Sequence, residues 1–279
     1  MSFPPPTLPD CHRHAGRPTG RQCTRCMRPA CADCLTQAHV GSICPDCLRA
    51  SLPSTGMRFR QWNAGQHMFV TRLLIAVNGG IFLWTLLGGV TGILSGSNIN
   101  RRQFDLALSS VFIENGEWWR LVTGGFLHFG VFHIAMNMLL LFQLGQLLET
   151  GIGRTRFALL YAASLFGGSL GALLLSPNAL TGGASGAVFG LMAAASVGLR
   201  QRGINPFQTG IGATLVLNLL ITFAIPGVSI GGHLGGAVVG ALVGYAMLEP
   251  RWNREIPWIS LASPITASVV CVVAALTIA

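Results

Sequence analysis

From about residue 70 onward the chain alternates long apolar blocks with short polar or glycine-rich breaks. Apolar runs fall at roughly 70–94, 119–143, 157–176, 184–199, 209–225, 230–248 and 259–279. Each approaches the ~20 residues that carry a helix across the ~30 Å hydrocarbon layer. The pattern predicts an all-α polytopic membrane protein. Upstream, the pattern changes twice. Residues 1–49 form a polar, cysteine-rich head, and 50–68 read as a linker or surface-lying segment containing Pro53, Ser54, Gly56, Arg58 and Arg60. The membrane domain is then expected over 69–250, with a C-terminal extension at 251–279 that carries the seventh span.

Composition agrees with this division. Of 279 residues, 51% are hydrophobic and only 10% charged, whereas a soluble domain carries charge on roughly a quarter of its residues. The 18 basic residues are all Arg, and they set a net charge of +9. Eight of them precede residue 61, against Asp10, Asp33 and Asp46. Arg beside membrane spans marks the cytoplasmic side, so this basic balance is read as topology and not as nucleic-acid binding. Arg58, Arg60 and Arg72 precede or open the first span. Arg154 and Arg156 follow the second, Arg200 and Arg202 the fourth, and Arg251 and Arg254 the sixth. Only the 95–118 loop opposes the trend, with Arg101 and Arg102, and it also holds Asp105, Glu114 and Glu117. The expected orientation has the N-terminus in the cytoplasm and, after seven spans, the C-terminus outside. The opening Met1-Ser2-Phe3-Pro4-Pro5-Pro6 lacks the basic and apolar regions of a cleaved signal peptide.

The head carries a metal pattern. Cys11-x2-His14, Cys23-x2-Cys26, Cys31-x2-Cys34 and Cys44-x2-Cys47 are four ligand pairs, enough for two tetrahedral zinc ions. The strict spacing, and a His in place of one Cys, argue against disulfides. The sites are either sequential or interleaved. Interleaving is preferred, with Cys11, His14, Cys31 and Cys34 on one ion and Cys23, Cys26, Cys44 and Cys47 on the other. It would tie a chain with almost no core into one unit and make metal binding its folding energy. His39 stands outside this set. The pattern resembles a B-box-type zinc finger. Intact thiolates suit a reducing compartment, which independently favours a cytosolic head.

Polar residues within the apolar blocks are costly and therefore informative. Ser185 opens the fourth span within Gly183-Ala184-Ser185-Gly186, and His233 opens the sixth within Gly232-His233-Leu234-Gly235-Gly236. His133 and Asn137 lie in the outer half of the second. Even-numbered spans run from outside to inside, so all four residues reach a similar depth. Serine with histidine is the minimal set for nucleophilic acyl transfer. Each residue alone has a plainer reading: Ser185 as a small packing position, His233 as an interhelical hydrogen-bonder or metal ligand, and His133 with Asn137 as one packed helix face. Their coincidence at one depth carries the chemical reading.

The same residues resemble the rhomboid family of intramembrane serine proteases. Gly183-Ala184-Ser185-Gly186 is similar to its G-x-S-G motif. His233, Gly236 and Gly240 match H-x2-G-x3-G, and His128, His133 and Asn137 match H-x4-H-x3-N. Trp119-Arg120, Glu149 and Gly153-Arg154 resemble further family positions. The resemblance covers about residues 70–248. It implies a six-helix bundle followed by the extra span, a Ser185–His233 dyad without an orienting acid, and an oxyanion hole made by His133, Asn137 and the Ser185 N–H. Phe189, one turn beyond Ser185, could stack on the imidazole where the family often has Tyr.

It also implies single-span membrane proteins as substrates, cut within the lipid bilayer near the outer boundary of a cell membrane. By analogy, a 226–232 lid and a side gate on the fifth span, with Phe207 and Phe223, are expected. Short fourth and sixth spans would leave room for a wet cavity. Catalysis should need no cofactor. The head would recruit a cytosolic protein, position the chain at the membrane, sense zinc or redox state, or serve as structure alone. The competing readings are an inactive rhomboid-like escort of membrane helices, which needs neither Ser185 nor His233, and a transporter or metal channel, which the scarcity of intramembrane acids disfavours. All-Arg usage suggests a bacterium of high G+C content.

Overall fold

The computed structural model describes residues 7–52, 54, 56–57, 67–89, 99–249 and 255–278. The chain divides into two compact units, Met1–Gln66 and His67–Ala279. In the first, β1 (Asp10–Cys11) pairs antiparallel with β2 (His14–Pro18), and β3 (Thr36–Gln37) pairs with β4 (Ser42–Ile43). Helix α1 (Pro45–Ser51) follows, started by Pro45, whose fixed φ suits a first turn. Strands this short bury little. One small cluster, Cys11, Ala30, Cys31 and Cys34 with Leu35 against it, is itself mostly candidate ligands.

The second unit is helical: α2 (Phe69–Leu86), α3 (Arg101–Leu106), α4 (Ser110–Glu114), α5 (Arg120–Thr123), α6 (Val131–Ile152), α7 (Arg154–Leu175), α8 (Ser185–Gln201), α9 (Ile211–Ala224), α10 (Ile230–Leu248) and α11 (Ile259–Ile278). Five of these, α2, α6, α7, α10 and α11, are long and apolar enough to cross a bilayer. They make the unit a multi-pass membrane bundle, with α11 as an added C-terminal helix. Two of the expected spans form shorter helices, α8 with 17 residues and α9 with 14. At ~1.5 Å per residue they rise about 25 and 21 Å, less than the ~30 Å hydrocarbon layer. The shortness expected of the fourth and sixth spans therefore belongs to the fourth and fifth.

The second span is also displaced. An apolar run at 119–143 predicts a helix there, but α6 begins at Val131 and reaches Ile152. The earlier residues fold into α5 and a 3-10 turn at Gly124–Phe126. Arg120 explains the break. Its buried guanidinium donates to Phe104 O at 2.7 Å, Ala107 O at 2.8 Å and Glu117 Oε2 at 2.6 Å, and it lies over the Phe112 ring. A buried cation tied to the last carbonyls of α3 does not lie within a lipid-facing span, and the long helix starts after Gly130. The predicted first run ends in the structure at Leu86, and its tail at 90–94 lies outside the described residues. Part of the expected 226–232 lid is helix, because Ser229 caps α10 by accepting from Gly232 N at 3.1 Å.

Glycines set the packing. A Cβ at Gly236 would strike Gly186 O, and one at Gly240 would strike Gly190 O. Helix α7 joins the same arrangement: Gly171 faces Gly231 O, and Gly168 lies against Gly186 Cα and Gly232 O. Three backbones therefore meet where α8 and α10 begin, as bare small-residue faces permit. At the far end of α6, Glu149 is buried and caps α2. Its carboxylate accepts from Val70 N at 2.9 Å, Thr71 N at 2.8 Å and Thr71 Oγ1 at 2.6 Å. Helix α11 packs on α7 and α10, with Arg156 Nε donating to Ser260 Oγ at 2.8 Å.

Candidate active site

Ser185 is the first residue of α8. Its amide is one of the N-terminal N–H groups with no acceptor inside the helix, and so it can be offered to an oxyanion. The strand-like segment before it is pinned. Leu108 and Thr181 exchange backbone hydrogen bonds of 2.8 Å, Ser110 N donates to Pro177 O at 2.9 Å, and Gly183 N donates to Gly124 O at 2.8 Å. Gly183 has φ +143°, a conformation only glycine adopts freely. A Cβ at Gly183 would also sit 2.7 Å from His133 Nε2 and 3.4 Å from Ser185 Oγ. These two side chains therefore flank the same bare Cα.

His133 and Asn137 sit one turn apart at the start of α6, with Asn137 Nδ2 donating to His133 O at 3.1 Å. The His128 ring packs edge-on against His133 at 4.9 Å. His233 is buried in the first turns of α10. Phe189, on the same helix face as Ser185, stacks on the imidazole with centroids 4.1 Å apart and planes 19° from parallel. The glycine contacts explain the reach: Gly186 and Gly236, each adjacent in space to the pair, let the two backbones touch. Among the described residues no hydrogen bond joins Ser185 to His233. The imidazole is instead held by Phe189 and by Thr222, whose Oγ1 lies 2.6 Å from His233 Nδ1.

Thr222, on α9, was not apparent from the sequence. A threonine in an apolar span reads as lipid-compatible, because its hydroxyl can bond the carbonyl four residues back. Thr222 makes that bond too, to Asn218 O at 2.7 Å. The side-gate candidates Phe207 and Phe223 are both exposed on or beside α9. An apolar cavity of about 240 Å³ lies at the other end of α8, lined by Leu147, Ile152, Leu199, Arg202 and Leu248. No nucleophile or base converges there, and it does not compete with the Ser185 region as a reactive site.

In the head the structure gathers the two interleaved foursomes. The ligand atoms of Cys11, His14, Cys31 and Cys34 lie within 4.8 Å of one another, as do those of Cys23, Cys26, Cys44 and Cys47. His14 Nδ1 is 3.4 Å from both Cys31 Sγ and Cys34 Sγ and 3.9 Å from Cys11 Sγ, and Cys26 Sγ is 3.8 Å from Cys44 Sγ. A tetrahedral zinc ion, with Zn–S ~2.3 Å and Zn–N ~2.0 Å, implies edges of about 3.5–3.8 Å. These donor sets can therefore hold metal ions.

Their protonation points the same way. The Cys31 and Cys44 N–H groups pull the Cys11 and Cys23 thiols down to about 6, whereas burial pushes Cys34 up to about 11 and Cys47 up to about 12. Metal binding takes the deprotonated thiolates, so a bound cation would favour that form in both foursomes.

The fold and site define a class: a polytopic helical bundle with a serine and a stacked histidine on two helices joined through glycine. Comparison with known proteins places it further. The family model for the Rhomboid domain matches residues 115–250. Rhomboid protease GluP of Bacillus subtilis (strain 168) is 34% identical over 148 residues, which cover 52% of this chain and 29% of that protein. RHOMBOID-like protein 1 of Arabidopsis thaliana is 39% identical over 149 residues, covering 52% of this chain and 38% of that protein. The rhomboid YdcA of Bacillus subtilis (strain 168) is 32% identical over 146 residues, covering 51% of this chain and 73% of its own length. The chain belongs to the rhomboid family. It spans well under two thirds of the length of the first two relatives.

Proposed function

We propose that the chain is an intramembrane serine protease that hydrolyses peptide bonds of membrane-spanning substrates. Ser185 Oγ attacks the scissile carbonyl while His233 takes its proton and then passes it to the leaving amine. His133, Asn137 and the Ser185 N–H receive the oxyanion, each donor being typically worth ~3–4 kcal/mol. The observation that carries this reading is the Phe189–His233 stack, which fixes the imidazole beside the helix whose first residue is Ser185.

The surrounding assignments follow from the same reading. The membrane protease domain spans 69–250, preceded by a zinc-binding domain at 1–49 and a linker at 50–68, and followed by a seventh span within 251–279. The arginine distribution supports a cytoplasmic head, and the thiol-rich donor sets support two structural zinc ions. Single-span membrane proteins are the substrates, and the head offers a surface for a cytosolic partner.

The test is cleavage of a single-span reporter by the purified full chain in liposomes, beside Ser185→Ala and His233→Ala. Either change is expected to abolish cleavage, and the double variant to be no worse, since dyad members act as a unit. Wild-type binding of the reporter without cleavage would replace this reading with the inactive escort. Cleavage surviving both changes would move the site elsewhere.

A further inference from the structure

We infer that Thr222 is a positioning residue whose hydroxyl fixes His233 as the Nδ1–H tautomer and leaves Nε2 as the atom that takes the serine proton. The inference rests on the proposed Ser185–His233 dyad and adds an orienting partner that the sequence lacks in acidic form.

Hydrogen counting carries it. Thr222 Oγ1 contacts two groups, His233 Nδ1 at 2.6 Å and Asn218 O at 2.7 Å. A hydroxyl has one hydrogen, and a carbonyl oxygen can only accept. The arrangement that satisfies both contacts sends the hydroxyl hydrogen to Asn218 O. The threonine lone pair then faces Nδ1, which must carry a proton. The other ring nitrogen is left with a free lone pair, as a base requires. Thr222 and His233 are 2% and 8% exposed, so a competing water has little access to this hydrogen bond. Phe189 stacks on the ring but donates nothing, and among the described residues Thr222 is the ring's one hydrogen-bond partner.

The placement on α9 is selective. Leu217, Leu220, Ile221 and Phe223 around Thr222 are exposed, and on the whole helix only Gly212 and Thr222 are buried. The outward-facing helix turns one polar atom inward, and it meets the imidazole.

The experiment compares wild type, Thr222→Val, Thr222→Ala and Thr222→Ser in the full chain. Two readouts are needed: reporter cleavage resolved into kcat and KM, and the ¹⁵N-imidazole NMR spectrum, with His233 assigned by its loss in His233→Ala. A wrong tautomer costs a Ser–His protease up to about 10⁴-fold in kcat. A neutral hydroxyl orients less strongly than a carboxylate, so Thr222→Val is expected to lower kcat ~10- to 100-fold with KM little changed. Its His233 signal should move towards the Nε2–H form, whereas Thr222→Ser should keep wild-type values in both readouts. If Thr222→Val does not fold, Thr222→Ala supplies the same test. Unchanged kcat, an unchanged spectrum, or an effect confined to KM would each overturn the assignment. A wild-type chain that cleaves nothing would defeat the dyad reading, while the spectrum would still decide the tautomer.

Discussion

Gly183 shows how narrowly the Ser185 region is built at the level of single residues. Its φ of +143° would cost a side chain about 1–3 kcal/mol in strain, and the added Cβ would crowd His133 Nε2 at 2.7 Å. Gly183→Ala should therefore lower kcat at least ~100-fold, as loss of an oxyanion donor does, while thermal unfolding shifts only modestly. Gly80 on α2 has open space and an ordinary φ, so Gly80→Ala should leave cleavage intact and stabilise the helix by about 0.5–1 kcal/mol. Equal behaviour of the two variants in cleavage would refute the steric account. Ser185 and His233 stand out as candidates in the sequence because a hydroxyl and an imidazole flanked by glycines have no cheap place in lipid. Thr222 could not, since its bond to Asn218 O disguises it as one more tolerated threonine. Only the fold reveals that α9 turns that hydroxyl towards α10.

Helices were legible as blocks, but their starts were not. Hydropathy correctly signals an apolar stretch from Trp119 onward, yet it cannot distinguish a span from a loop that lies against the bundle. The buried Arg120 and its carbonyl partners decide the matter, and those partners are distant in sequence. The glycine contact between α8 and α10 was readable from their spacing. The share taken by α7 was not, because Gly167, Gly168 and Gly171 look like ordinary small residues until Gly231, Gly232 and Gly235 lie against them.

Glu149 is the device on this scale with the clearest measurable effect. It binds the first turn of α2 to the last turns of α6 through three hydrogen bonds. Glu149→Ala should destabilise the bundle by about 3 kcal/mol, since bonds to a charged acceptor are worth ~1.5–3 kcal/mol and buried donors are left unpaired. Glu149→Gln, which keeps an acceptor oxygen, should cost less. Thermal unfolding in detergent measures both, and an Ala variant as stable as the Gln variant would contradict the capping role.

At the scale of the whole molecule, the two ligand foursomes belong to one compact unit and the Ser185–His233 pair to the other. Chelation is expected to unfold the head, because so small a core depends on metal for its folding energy, and to leave reporter cleavage within about twofold of its starting rate. Circular dichroism and limited proteolysis of the head, read beside the cleavage assay, test this together. Loss of cleavage while the membrane helices remain folded would show that the head controls the proposed activity. The division into a cysteine-rich unit and a helical unit was legible because cysteine pairs and apolar blocks are strong signals. The orientation of the chain rests on arginine placement and on the thiol-rich head, and labelling of introduced cysteines on either side of the membrane would read it directly.

The glycine contact between α8 and α10 also bears on how this chain can vary over time. Where two side chains meet, a larger residue on one helix can be offset by a smaller one opposite, and drift proceeds through such exchanges. At Gly236 against Gly186, and Gly240 against Gly190, the opposing surface is main chain. No smaller residue exists to concede the volume, and a second-site suppressor has nothing to change. A saturation mutagenesis map should therefore show these positions as isolated intolerant points without pairwise rescue. The outward faces of α9 and α11 should instead accept broad hydrophobic exchange.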